Sequence, residues 1–165
     1  MEYCNEITSA RKLLGNYVKN YGEQLSSGVY YVSDSDVSGN NTYTTFIYYN
    51  PSSQDIRFAY HIESSYGTTL LGLYYQEGAS KQNIMIEETL SDGYKINGSG
   101  YIYTSLYALG DSVYSFTCDQ SAYTSQMKSL AESGLDLMFF ALSDIFEESG
   151  TGVTLESLGF EELWI

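Results

Sequence analysis

From Gly28 to Asp119 the chain is a succession of short segments rich in Tyr, Ile, Thr, Val and Phe, each closed by a cluster of Gly, Asn, Ser or Asp. No other feature restricts the fold as much. Aromatic and β-branched residues suit a pleated, half-buried surface, and the intervening residues supply the backbone conformations that tight turns need. The pattern places strands near 28–33, 42–50, 55–64, 68–77, 82–89, 94–97, 100–108 and 112–118. Asn50-Pro51-Ser52 fixes a bend, Ser91-Asp92-Gly93 suits a hairpin, and Asn97-Gly98 and Gly98-Ser99-Gly100 read as turn. No helical pattern of about 10–15 residues separates the segments, so an antiparallel meander is expected in place of parallel βαβ units.

Alternation within two segments separates the faces of that sheet. In 55–64, Ile56, Phe58, Tyr60 and Ile62 oppose Arg57, Ala59, His61 and Glu63. In 100–108, Tyr101, Tyr103 and Tyr107 oppose Ile102, Thr104, Leu106 and Ala108. One face is thus expected to be aliphatic and covered by helices, and the other partly lined by tyrosine.

The covering helices flank the strands. Ile7, Ala10, Leu14, Tyr17, Val18 and Tyr21 recur at helical spacing from Asn5, a candidate cap, to Gly22, a candidate stop. A longer helix is expected from about Ser121, capped by Asp119 or Ser121, to Gly150. Its stripe is Tyr123, Met127, Leu130, Gly134, Met138, Ala141 and Ile145, widened by Ala131, Leu135, Leu142 and Phe146. Residues 137–142 are apolar all round the helix, which suits a central core position wrapped by a curved sheet. Thr154 caps a short last helix through Leu158, and Phe160, Leu163, Trp164 and Ile165 dock the end of the chain. The fold class is therefore α+β: an antiparallel meander of about six to eight strands, residues 28–118, packed by an N-terminal helix and a long C-terminal helix. With no linker or repeat, residues 1–165 make one domain, of a size that buries about 68–70% of its unfolded surface.

Charge sets the class of partner. Seven Lys and Arg face 21 Asp and Glu, a formal charge of −14 with a pI near 4.1. Phosphate contacts need basic side chains, so no direct nucleic-acid binding and no membrane association are expected. After Lys128 no basic residue follows, while Glu132, Asp136, Asp144, Glu147, Glu148, Glu156, Glu161 and Glu162 do. The start of the sequence has neither a basic nor an apolar leader region, which favours the cytoplasm and free thiols at Cys4 and Cys118. Removal of a signal peptide would instead favour a secreted chain with the two cysteines bridged.

Motifs for chemistry are sparse. His61 is the one histidine, on a strand and without a second to share a metal, and two distant cysteines complete no closed zinc site. Neither a nucleophile elbow nor a phosphate-cradling glycine loop is present. The abundance of carboxylates makes any pair, such as Glu87-Glu88 or Glu147-Glu148, uninformative for glycoside hydrolysis. Asp34-Ser35-Asp36-Val37-Ser38-Gly39 imitates the first half of a calcium loop, but Thr45 stands where the bidentate glutamate belongs. The segment reads as a polar hairpin loop between strands ending at Ser33 and starting at Thr42.

The expectation is a non-enzymatic acidic interaction protein without metal or cofactor. It would act as an inhibitor or adaptor for a basic, nucleic-acid-binding protein, in the manner of a DNA mimic or phage counter-defence protein. Its binding residues would be Glu132, Asp136, Asp144, Glu147, Glu148, Glu156, Glu161 and Glu162, with Tyr101, Tyr103 and Tyr107. A homodimer through the apolar part of the long helix is a further option. The alternative is an extracytoplasmic module whose tyrosine-lined face takes a glycan or peptide.

Overall fold

The structure, a computed structural model, describes residues 2–76, 79–103 and 113–160, with side chains from Ala10 onward in the first helix. Helix α1 (Glu2–Tyr21) precedes strands β1 (Glu23–Gln24), β2 (Tyr30–Ser38), β3 (Asn41–Asn50), β4 (Asp55–Ser64), β5 (Gly67–Tyr75), β6 (Lys81–Leu90), β7 (Lys95–Tyr103) and β8 (Val113–Cys118). Helix α2 (Thr124–Ser149) follows, between 3-10 turns at Ser121–Tyr123 and Glu156–Leu158. The strands form one antiparallel sheet whose spatial order is the chain order, as expected of segments separated by turns alone.

Register aligns the aliphatic positions on a single face. Ile47 opposes Phe58, Phe58 opposes Leu73, and Leu73 opposes Ile84; all four are buried. Onto this face α2 lays Met127, Ala131, Leu135, Met138, Phe139, Leu142, Ile145 and Phe146, while α1 contributes Ala10, Leu14 and Val18. A side chain of Phe or Leu size buried in this way contributes roughly 1.5–3 kcal/mol. Gly134 lets the long helix lie close, since a β-carbon there would sit 3.0 Å from Leu71 Cδ2. Phe160 docks as expected: it is buried against Phe139 and Tyr75, and the Tyr75 hydroxyl donates to the Leu158 carbonyl at 2.6 Å.

Several ends and turns fall where the sequence puts them. Helix α1 stops at Gly22, whose amide donates to the Val18 carbonyl at 2.8 Å, and α2 stops at left-handed Gly150. Thr154 and Ser157 exchange backbone-to-hydroxyl hydrogen bonds of 3.0 and 2.8 Å, although they cap a 3-10 turn and no longer helix. Asn50 accepts from the Ser52 amide at the first bend, and Gly93 at φ +89 closes the hairpin before β7.

Other local expectations are corrected. Residues 34–38 are not a loop: β2 continues through them, pairs with Asn41–Thr45, and turns back at Gly39 and Asn40. A two-residue turn with Gly39 at φ +61 zips the hairpin to its tip, and backbone pairing outweighs the loop-like composition of the side chains. Gly98-Ser99-Gly100 is likewise the middle of β7, which joins the segments assigned to 94–97 and 100–108 as far as Tyr103. Its glycines answer crowding: a β-carbon at Gly98 would lie 2.3 Å from the Phe116 ring, and one at Gly100 2.3 Å from the Ser115 carbonyl oxygen, beside a bulge. Asn5 lies inside α1 and does not cap it. Asp119 caps nothing either, because its carboxylate accepts from the Asn97 amide at 3.0 Å and side chain at 3.2 Å. Tyr123 leaves the buried stripe and is 40% exposed. Residues 104–112 and 161–165 lie outside the described residues, and so do the strand ends and terminal contacts assigned to them.

Candidate functional site

The late acids do not form one array. On α2, Glu132 and Asp136 sit one turn apart at the edge of the buried stripe, and each has a carboxylate oxygen out of water without a hydrogen bond. Lys128 approaches Glu132 at 4.0 Å. Burial, with the Glu132 charge behind it, holds the Asp136 carboxyl above its ordinary range. Asp144, Glu147, Glu148 and Glu156 are exposed. Glu161 and Glu162 lie outside the described residues.

The same helix shows that residues 137–142 are not wholly buried. Met138, Phe139 and Leu142 enter the core, but Leu137 is 46% and Phe140 73% exposed. A sheet can cover only one side of a helix, so an apolar run longer than one turn must present part of itself outward. Helical spacing brackets Phe140 with Asp136 and Asp144 one turn away on either side, and Glu147 follows one turn further. An aromatic knob in an acidic surround is the result.

The second surface is the face of the sheet that no described helix covers. Tyr101 and Tyr103 are on it, as alternation requires, and Tyr107 lies outside the described residues. Both rings pack on Tyr114, with centroids 5.1 and 5.0 Å away. Register then reveals a row that no single strand displays. Tyr31, Tyr48, Arg57, Tyr74, Asn83, Tyr101 and Tyr114 are successive cross-strand partners from β2 to β8. At neighbouring-strand spacing the row runs roughly 29 Å across the sheet.

Several charged side chains on this face are engaged by their neighbours. The Arg57 guanidinium lies 4.9 Å from the Tyr74 ring centre, and the Tyr74 hydroxyl donates to Asp55 at 2.9 Å, which holds the phenol above its usual range. Lys81 sits 4.5 Å from the Tyr101 ring centre, and Lys95 pairs with Glu87 at 3.5 Å. Burial raises the Tyr48 phenol as well.

Beside this row a trough of about 850 Å³ crosses the face, bordered by Tyr48, Arg57, Tyr74, Asn83 and Met85. The cross-strand partners Ala59 and Gly72 put no large side chain into it. Sequence reasoning missed Tyr31, Tyr48, Tyr74, Tyr114, Arg57, Asn83 and Gly72. Alternation assigns each to a face, but only the relative register of six strand pairs brings the row into line and sets Gly72 beside it.

The remaining candidates gather no chemistry. His61 stands mid-strand on the open face between Thr44 and Leu70. Cys118 is a free thiol, and the Cys4 side chain lies outside the described residues. Among the described residues no three His, Cys, Asp or Glu side chains converge on a metal-sized position, and no helix is long and apolar enough to cross a membrane. No family model, curated protein or solved structure matches this chain.

Proposed function

We propose that the protein works by binding, without bond-making chemistry, and that the outward face of α2 receives a basic protein partner. The exposure of Phe140 amid Asp136, Asp144 and Glu147 carries this reading. A large apolar ring left in water at 73% exposure is an anchor in search of a pocket, and the carboxylates beside it select a partner surface rich in Lys and Arg. The overall charge of −14 steers such a partner inward and repels acidic competitors. Proteins whose basic grooves hold nucleic acid fit both requirements, so an inhibitor or adaptor acting by charge mimicry is the form proposed. A second copy of this chain fits less well, since two identical acidic rims would meet.

Affinity purification from the native host, with mass spectrometry of what is retained, tests the reading. Partners with basic surfaces, released as salt rises and lost on Phe140→Ser combined with Asp144→Lys, are the expected outcome. Retention of only neutral or acidic partners, or binding indifferent to that double substitution in a folded protein, removes it.

A further inference from the structure

Gly72 sits in the middle of β5, a central strand, where a glycine weakens pairing and gives no side chain to packing. Its neighbours do not demand it. Among the described residues, a β-carbon at this position would meet nothing nearer than the Met85 carbonyl oxygen at 4.0 Å, whereas those at Gly98 and Gly100 would collide at 2.3 Å. Its φ also lies outside the range that favours glycine. A strand glycine that the chain's own packing does not require marks a place where something else comes close. Gly72 opens into the trough.

We infer that this face binds a neutral, extended glycan, laid across the strands along the row from Tyr31 to Tyr114. Sugar rings present an apolar face of C–H groups and an equator of hydroxyls. Tyrosine rings suit the first, and planar amides and guanidinium groups suit the second. The row alternates these functions: Tyr48, Tyr74 and Tyr101 occupy every second strand, with Arg57 and Asn83 between them. Successive tyrosines are therefore roughly 9–10 Å apart, two strand spacings, a distance comparable to two sugars of an extended pyranoside chain. The open space above Gly72 and Ala59 lets one ring settle against the sheet beside Tyr74.

Charge decides the class of ligand. Arg57 and Lys81 lie against tyrosine rings, Asp55 accepts from Tyr74 and Lys95 pairs with Glu87, so the charges along the row are engaged within the face and gather no cluster of one sign to reward an ionic ligand. Nucleic acid is disfavoured by the net charge of −14, although stacked bases would also suit tyrosines. This inference is independent of the α2 surface, which lies on the opposite side of the sheet.

The test applies the full chain to an array of neutral glycans spanning α- and β-linked hexose, N-acetylhexosamine and deoxyhexose chains. Isothermal titration with a hexasaccharide of the best series follows. Binding should strengthen with chain length and stay unchanged between low and high salt. Tyr74→Ala should weaken it at least tenfold, and Gly72→Leu, which fills the trough, should abolish it. Circular dichroism and melting of both variants establish that they fold. Phe140→Ser should leave glycan binding intact, so loss of this inference and loss of the α2 reading are separable. No array binding by the folded chain, full affinity in folded Gly72→Leu, or capture of a proline-rich peptide in place of every glycan would each overturn it.

Discussion

The two faces of the sheet are built from the same strands, yet they obey different rules. Phe58 on β4 is fully buried under α2, 6.3 Å from the Phe146 ring, while its chain neighbour Arg57 looks the other way into the trough. On the covered face, side chains are chosen by volume and apolarity, because the helices must be packed without voids. On the open face no described helix covers the sheet, yet tyrosines, an arginine and an asparagine fall into one cross-strand line. Polar residues of many kinds would keep that face soluble. The proposal that this face takes a ligand rests on an aromatic row beside a glycine-floored trough.

The sharpest way to break this comparison is to truncate one residue on each face. Phe58→Ala should cost about 3–5 kcal/mol, from lost transfer energy and the cavity left among close-packed neighbours. Tyr74→Ala, next in the chain to Leu73 of the buried row, should cost about 1 kcal/mol, from its hydrogen bond to Asp55 and its contact with Arg57. Urea denaturation measures both. Equal losses would mean that the open face is as structural as the covered one.

A smaller effect with opposite signs sharpens the same contrast. Gly98→Ala should destabilise by about 1–3 kcal/mol, because its β-carbon meets the Phe116 ring. Gly72→Ala has room and a compatible backbone, so it should stabilise by about 0.4–1 kcal/mol through the unfolded state. If Gly72→Ala destabilised the isolated protein, an internal reason for that glycine would exist and the argument from an external ligand would lose its footing.

The difference between the faces also explains what the sequence could disclose. Period-two alternation in 55–64 separates Phe58 from Arg57 without any structure, and the helical stripe around Leu135 and Leu142 names the layer that covers the sheet. These readings need only local spacing. The row from Tyr31 to Tyr114 needs register, which depends on turns such as Gly39-Asn40 that sit inside a polar stretch resembling a loop. Gly72 and Gly98 look alike in sequence, and what separates them is the Phe116 ring near one of them. The late acids suffer the same limit: Glu132, Asp136 and Glu147 share a narrow arc of the helix, but the edge of the core passes between them.

That edge yields the smallest effect. Asp136 has an oxygen buried without a hydrogen bond, one turn from Glu132, and its carboxyl is raised above the ordinary range by burial and then by that charge. A raised carboxyl favours the fold while protonated. Its contribution is complete below the unfolded value of about 3.9 and is lost as pH rises through the higher folded value. Asp136→Asn keeps the shape and removes the charge, so it should melt above the parent at pH 7, with the gap closing toward pH 3.5. Asp144→Asn, on the exposed part of the same helix, removes an identical charge from water and serves as the control for general relief of repulsion in so acidic a chain. Its stabilisation at pH 7 should be the lesser of the two. If the two variants gained equally at neutral pH, the strain would belong to the net charge of the whole molecule, and the boundary drawn between half-buried and exposed acids on α2 would have no energetic meaning.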